Sequence, residues 1–332
     1  MVHAPAMKRR LVLGTAFALA LTQNSSRAYA ADKVLRLGWV TAQEPASLAP
    51  MVAALRASLA RLGHVEGPNL AIAFRYGDGS VDRVPEQVAE LQGLGIDILL
   101  AQGGPAVNVV SGLPVAVPVA YVFSGDPVSA GFAKSLAHPE SNMTGLTLMA
   151  AEMNGKLLEI LREMVPSLRD VAIVANPEHP GSHIERDYTD GAARQLGLRT
   201  EYFPARTRSE LASSLDAMAA SPARAVSIFS DSFAVANRRQ ILDFAIARKM
   251  PVMSGWPVFA DSGALCTYGP RLVDSYARLA SYVDRIAKGA RPADLPIERP
   301  TTFELVLNQK TANAIGLKLP QSLLVRADRL IS

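Results

Sequence analysis

From Val34 onward the chain repeats one pattern: a short run rich in Val, Ile, Leu and Ala, then a longer stretch with apolar residues at helical spacing, then a glycine or proline stop. Strands buried on both faces read as continuous apolar runs, and parallel strands need a crossover long enough to hold a helix. The alternation therefore commits the chain to βαβ units, an α/β fold with helices on both sides of parallel sheets. In the first unit Val34–Val40 is the strand. The helix over 47–62 puts Leu48, Met51, Val52, Leu55, Leu59 and Leu62 on one broad face, with Gly63 as its stop.

The pattern continues with strand Leu70–Tyr76, a helix over 84–94 capped by Asp82, strand Ile96–Ala101, a helix opened by Gly103-Gly104-Pro105, and strand Val117–Phe123. Met143–Leu148 is expected to cross into a second lobe, where the alternation restarts. Strands are expected at Val171–Val174, Arg199–Phe203, Val226–Phe229 and Val252-Met253, with helices over 154–164, 182–196, 209–218 and 237–248 between them. A strand at Leu265–Tyr268, a helix over 275–288 and a strand at Phe303–Leu307 complete the chain. Pro292, Pro296 and Pro300 exclude a helix from the last connector and hold it extended, as a lobe-to-lobe crossing. The expected division places 31–148 with 266–292 in one lobe and 149–265 with 300–332 in the other.

Ahead of this pattern lies a segment of another kind. Lys8, Arg9 and Arg10 precede the uncharged run Leu11–Leu21, and polar Gln23–Arg27 leads to Ala28-Tyr29-Ala30. That is the order of a secretory leader, with cleavage expected after Ala30 and the mature protein in the periplasm. The apolar run is shorter than the ~17 residues a membrane span needs, so no span is expected after cleavage. Four of the 34 basic residues leave with residues 1–30, and the remaining 30 balance 30 acids. The pI of about 9.2 thus belongs mainly to the leader, and no global field remains to attract nucleic acid. Cys266 is the only cysteine. It rules out an internal disulfide and an N-terminal lipid anchor, and inside an apolar run it reads as a buried small residue.

In open parallel sheets, ligands bind beyond the carboxyl ends of the strands, so the loops there are the places to search. In the first half they carry Trp39 and Thr41, Gly103 and Gly104, then Ser124 and Asp126. In the second half the matching loops carry Asn176 and Ser182, Asp231, then Gly255 and Trp256. Each also fits a structural role: glycine ends strands, and Asp126, Ser182 or Asp231 can cap helices. Their convergence favours a small organic ligand. Amides at Gly103-Gly104 suit a carboxylate, Asp126 or Asp231 suits an ammonium group, and Trp39 and Trp256, one per half, suit a flat or apolar moiety; together they describe an amino acid zwitterion. His179 and His183 are four apart, but Pro180 and Gly181 between them argue for a loop, so no metal site is expected. No G-x-S-x-G, G-x-x-x-x-G-K, H-E-x-x-H or dinucleotide G-x-G-x-x-G motif occurs, and neither a catalytic residue nor a cofactor is assigned.

Several segments carry a more specific resemblance: Phe123-Ser124-Gly125-Asp126-Pro127-Val128, Asn142-Met143-Thr144-Gly145, Gly289 through Pro296, Phe303 through Asn308, and the ending Ala314-Ile315-Gly316-Leu317 with Pro320, Ala327 and Asp328. Over its full length the chain resembles the ABC transporter substrate-binding family whose best-described members bind tryptophan and related aromatic amino acids. The resemblance implies a type I periplasmic binding fold: two doubly wound parallel-sheet lobes joined by a three-crossing hinge, a ligand caught by hinge closure, a membrane permease as partner, and a monomer. It departs at Gly104, where relatives commonly carry threonine, and at Glu178-His179, which reads as an insertion. A sensor subunit for a membrane receptor would use the same fold, and a secreted small-molecule enzyme on a two-lobed scaffold is the alternative from another class.

Overall fold

The computed structural model describes residues 1, 3 and 34–332, with 180 and 230 left out. Residues 4–33, which hold the body of the expected leader and its cleavage point, lie outside the described residues.

Eight elements build the first lobe's sheet and its crossovers: β1 Leu35–Thr41, α1 Pro45–Arg61, β2 Leu70–Tyr76, α2 Val84–Gly93, β3 Ile98–Gln102, α3 Gly104–Ser111, β4 Val119–Phe123 and β5 Met143–Thr147. The five strands are all parallel, in the order 2-1-3-4-5. Apolar residues cover both sheet faces, as the continuous runs require: Leu37, Leu100 and Val122 face one core, and Leu99, Ala101 and Tyr121 the other. The segment expected to leave this lobe at 143–148 is itself the fifth strand, and the chain departs only after Thr147. Glycine is forced at 145: with φ of 152°, a Cβ there would lie 2.1 Å from the Tyr121 carbonyl oxygen of the adjacent strand.

The second lobe follows with α4 Ala150–Met164, β6 Asp170–Ala175, α5 Ser182–Leu196, β7 Arg199–Pro204, α6 Arg208–Ala220 and β8 Ala225–Ile228. It continues through α7 Ser232–Ala236, α8 Arg238–Ala247, β9 Val252–Ser254, α9 Pro257–Asp261 and β10 Cys266–Pro270. The chain then returns to the first lobe as α10 Leu272–Ala287, and finally enters the second again as β11 Phe303–Asn308, α11 Gln309–Ile315, α12 Gln321–Arg326 and β12 Arg329–Ile331. The second sheet runs 12-11-10-9-8-6-7. Its parallel part, 7-6-8-9-10, repeats the order of the first sheet, and β11 is added antiparallel to β10. The helix expected over 237–248 is α8, and a short helix not expected from sequence, α7, precedes it: the Asp231 carboxylate accepts from the Ala234 amide at 2.7 Å and caps α7, and Asn237 separates the two.

Cys266–Pro270 was expected in the first lobe. It pairs instead with β9 and β11 of the second sheet, through Cys266 and Thr267 on one edge and Cys266 to Pro270 on the other, so the return crossing falls at 270–272. Helix α10 then packs Tyr276, Leu279, Ala280, Val283 and Ile286 into the core shared with Leu48, Leu55 and Leu59 of α1. At about 1.5–3 kcal/mol for each large buried side chain, this stripe fixes the helix to the first lobe. The third crossing is extended over only part of its length. Pro292–Asp294 form one 3-10 turn, and Glu298 then runs beside β5, accepting from Thr147 and donating to Gly145 through its backbone at 3.0 Å each.

Candidate ligand-binding cleft

A 2-1-3-4-5 sheet reverses its winding between strands 1 and 3, and ligands of open α/β sheets sit at that switch point. Here the two lobes present two of them, β1/β3 and β6/β8, and the loops that follow meet across the lobe boundary. Gln43, after β1, donates to the Ser232 hydroxyl at 3.4 Å, and the Ser124 hydroxyl, after β4, lies 3.0 Å from His179 Nε2, after β6. Both contacts join one lobe to the other, so the structure shows the lobes closed.

Beside these contacts, toward the hinge, is a cavity of about 390 Å³. This is within the range that holds a small organic ligand. The first lobe supplies Gln102, Gly103, Val122 and Ser124 from its strand ends, Met51 from α1 and Tyr276 from α10. The second supplies Trp256, Pro257 and Val258 from the start of α9, and Val235 and Arg238 from α7 and α8. Leu148, Arg271 and Glu304, at the three crossings, form the hinge-side wall. Lining from both lobes and all three crossings makes the cavity sensitive to closure.

Its charges are unevenly paired. Asp261 bonds Arg329 at 2.7 Å, and Arg271 faces Asp274 at 3.8 Å and Asp328 at 3.7 Å. Arg238 is positioned by neutral groups alone, donating Nε to the Ser262 hydroxyl at 2.9 Å and Nη1 to the Val235 carbonyl at 2.6 Å. No carboxylate pairs with it among the described residues, and neither Glu44 nor Glu304 has an ion-pair partner there. The wall thus offers one uncompensated guanidinium and two uncompensated carboxylates together with apolar residues such as Met51, Val122, Leu148, Trp256 and Val258.

Behind the inter-lobe contacts lies a buried polar cluster in the second lobe. Burial lowers the His179 imidazole to about 4. Burial, aided by the charge of Asp231, raises the Glu185 carboxyl to about 8. Asp231 is raised to about 6 by burial, against the amide hydrogen bonds that favour its charged form. Glu185 Oε1 and Asp231 Oδ2 have no hydrogen-bond partner among the described residues.

Of the residues singled out from sequence, Gly103, Ser124 and Trp256 line the cavity. Gly104 stands behind Ser124, against His179. Trp39 is fully buried in the first lobe's core, stacked on Tyr276 at 5.7 Å, so it stands one layer behind the cavity wall. Thr41 is likewise buried and donates to Gln102. Asp126 is exposed and caps its own loop, accepting from the Val128 amide and the Ser129 hydroxyl at 2.9 Å each. Asn176 accepts from the Glu178 amide at 3.0 Å, and Ser182 donates to the Pro177 carbonyl at 3.0 Å. Asp231 caps α7. Gly255 is buried against Gly269, where a Cβ would come 1.9 Å from its carbonyl oxygen. The Gly103 amide is spent on the Val122 carbonyl at 3.0 Å. Sequence reasoning missed Arg238, Glu304, Met51 and Tyr276. They sit within helices or on the appended antiparallel strand, away from the strand-end loops where the search was made. No group of three or more metal-ligating side chains occurs among the described residues.

Two similar α/β lobes, three crossings and a cavity walled by both lobes define a two-lobed solute-binding protein of the type I periplasmic binding fold. Residues 41–331 match the family model of ABC transporter substrate binding proteins, and the chain belongs to that family. It is similar to a tyrosine-binding protein of Clostridioides difficile (strain R20291), 19% identical over 256 residues, which cover 77% of this chain and 73% of that one. Among solved structures it is similar to an ABC domain from Streptococcus pneumonia in complex with L-Trp, with a TM-score of 0.84 and 21% identity over 90% of this chain and all of the other. A conserved domain protein from Vibrio cholerae gives the same TM-score of 0.84 at 22% identity, again over 90% of this chain and all of the other. Among the described residues no helix is long and apolar enough to cross a membrane.

Proposed function

We propose that the mature protein captures an amino acid with an apolar, aromatic-class side chain in the inter-lobe cleft and delivers it, closed, to the permease of an ABC importer. The observation that carries this reading is the pairing deficit of the cavity: Arg238 for a carboxylate and Glu304 or Glu44 for an ammonium, in a lining that also holds Trp256, Val258, Leu272 and Tyr276. A zwitterion compensates both charges, and charge-assisted hydrogen bonds are the strong ones. The relatives that bind tyrosine and L-Trp support the same ligand class. Closure follows thermodynamically, because contacts to both lobes exist together only in the closed state, so the ligand shifts the hinge equilibrium toward it. The leader, cleaved after Ala30, delivers the chain to the periplasm, where it acts as a monomer.

Mass spectrometry of small molecules released from the purified mature chain, with calorimetric titration of a panel of amino acids, tests this. The expected result is an unmodified amino acid and a one-site isotherm. Absence of binding across the panel overturns the ligand class.

One arrangement favours an enzyme: Ser124 Oγ, His179 Nε2 at 3.0 Å, and Glu185 Oε1 at 3.8 Å from His179 Nδ1 line up as a nucleophile, a base and an acid. Its chemistry is wrong for catalysis. At 3.8 Å Glu185 makes no hydrogen bond to the ring, and burial raises its carboxyl toward the protonated form, which is a poor anion for orienting the imidazole. The chain of contacts also exists only while the lobes touch.

A further inference from the structure

We propose that His179 is a latch between the lobes, seated in the space left by the missing side chain of Gly104, and that it favours closure independently of any ligand. The proposal rests on the reading of this cleft as the binding site, but it concerns the hinge equilibrium itself.

The two glycines at the start of α3 are glycines for different reasons. Gly103 has φ of 85°, a conformation that favours glycine whatever surrounds it. Gly104 has no positive φ, so its backbone suits any residue, and only space excludes one. A Cβ there would lie 2.6 Å from His179 Nε2 and 2.6 Å from Ser124 Oγ. Both atoms belong to the one hydrogen bond, 3.0 Å long, that joins the β4 loop of the first lobe to the β6 loop of the second. The small residue at 104 and the large one at 179 are therefore matched across the lobe boundary.

The loop that carries His179 is held by hydrogen bonds that lie wholly within the second lobe. Asn176 accepts from the Glu178 amide through its side chain at 3.0 Å and from the His179 amide through its carbonyl at 3.1 Å, and the His179 carbonyl accepts from Ser182 at 3.0 Å. His179 is only 5% exposed although it stands on a loop at the lobe boundary, with Ser124 and Gly104 of the first lobe on its Nε2 side. Burial keeps it neutral, with Glu185 on its Nδ1 side and Asp231 beyond as the acids of the same cluster. A neutral ring between two lobes can be released without stranding a charge. A hydrogen bond of ordinary net strength changes an equilibrium constant by roughly 2- to 12-fold, enough to bias a hinge that a ligand then drives to completion.

The test reads the open-to-closed ratio of the mature chain without ligand, by single-molecule energy transfer between dyes on Glu86→Cys and Asp216→Cys, both exposed and one on each lobe. Cys266 is buried and stays unlabelled. His179→Ala is expected to shift the ratio toward open by about 2- to 12-fold, and His179→Gln, which keeps a donor and an acceptor, by less. Gly104→Ala is expected to open the parent strongly. It should add little in the His179→Ala background, where the Ser124 hydroxyl can turn into the vacated space. An unchanged ratio in His179→Ala, or equal opening by Gly104→Ala with and without His179, overturns the latch. If Gly104→Ala does not fold, the His179→Ala ratio alone decides. Because no ligand is present, a failed latch leaves the amino-acid reading intact, and a failed ligand panel leaves the latch intact.

Discussion

Replacing Arg238 by glutamine removes the one cavity guanidinium that has no carboxylate partner among the described residues. Its Nε and Nη1 are already held by Ser262 and the Val235 carbonyl, so the head is pre-positioned and little rotamer entropy is lost when it meets a ligand. A hydrogen bond to a charged group contributes about 1.5–3 kcal/mol, so Arg238→Gln should weaken binding of an amino acid roughly 10- to 150-fold. The same substitution should leave the affinity for the corresponding decarboxylated amine within about threefold, since that ligand has nothing for the guanidinium to hold. Calorimetric titration of both ligands against both proteins forms a double-mutant cycle, which isolates the carboxylate contact from any general disturbance of α8. Equal losses for the two ligands would refute the assignment of Arg238 to the carboxylate.

Four further outcomes are expected. Trp39 is in the core and Trp256 on the cavity wall, so a ligand-induced change in tryptophan emission should vanish in Trp256→Phe and persist in Trp39→Phe; the reverse pattern removes Trp256 from the site. Glu185 is raised from 4.5 to about 8, so its contribution to stability is full below 4.5 and lost as pH rises through 8; Glu185→Gln should therefore melt with less dependence on pH between 6 and 9 than the parent. His179 is lowered from 6.5 to about 4, so its contribution is full above 6.5 and lost as pH falls toward 4; His179→Gln should flatten the acid side of the same melting curve. Gly145→Ala drives a Cβ into the Tyr121 carbonyl at positive φ and should cost at least about 2 kcal/mol in urea denaturation, against a near-neutral Gly93→Ala, where nothing lies within 4 Å.

The βαβ alternation was legible because both signals behind it are local: apolar runs mark doubly covered strands, and helical spacing marks one-sided helices. Helix α5 is found at 182–196 and β2 at 70–76 with the bounds expected from sequence. The boundary at 266 was not legible, since Cys266–Pro270 reads as a buried strand in either lobe and only its pairing with β9 and β11 decides. The same holds for the cavity. Strand-end loops announce themselves by glycine and proline, which is how Gly103, Ser124 and Trp256 were reached. Arg238 on a helix face looks like any solvated arginine, and its role depends on the absence of an acid across space. Trp39 shows the converse: its place at a strand end suggested the cleft, but the inward pleat of β1 points it at Tyr276.

The three crossings also change what a single contact between the lobes is worth. Two separate proteins joined by one neutral hydrogen bond would not associate, because the bond cannot offset their lost freedom. Tethered at 147–150, 270–272 and 298–303, the lobes stay in each other's neighbourhood, and the Ser124 hydroxyl meets His179 at a local concentration set by the hinge rather than by the solution. Lengthening one crossing with a flexible insert would dilute that local concentration. It would loosen ligand capture without replacing a single residue of the cavity.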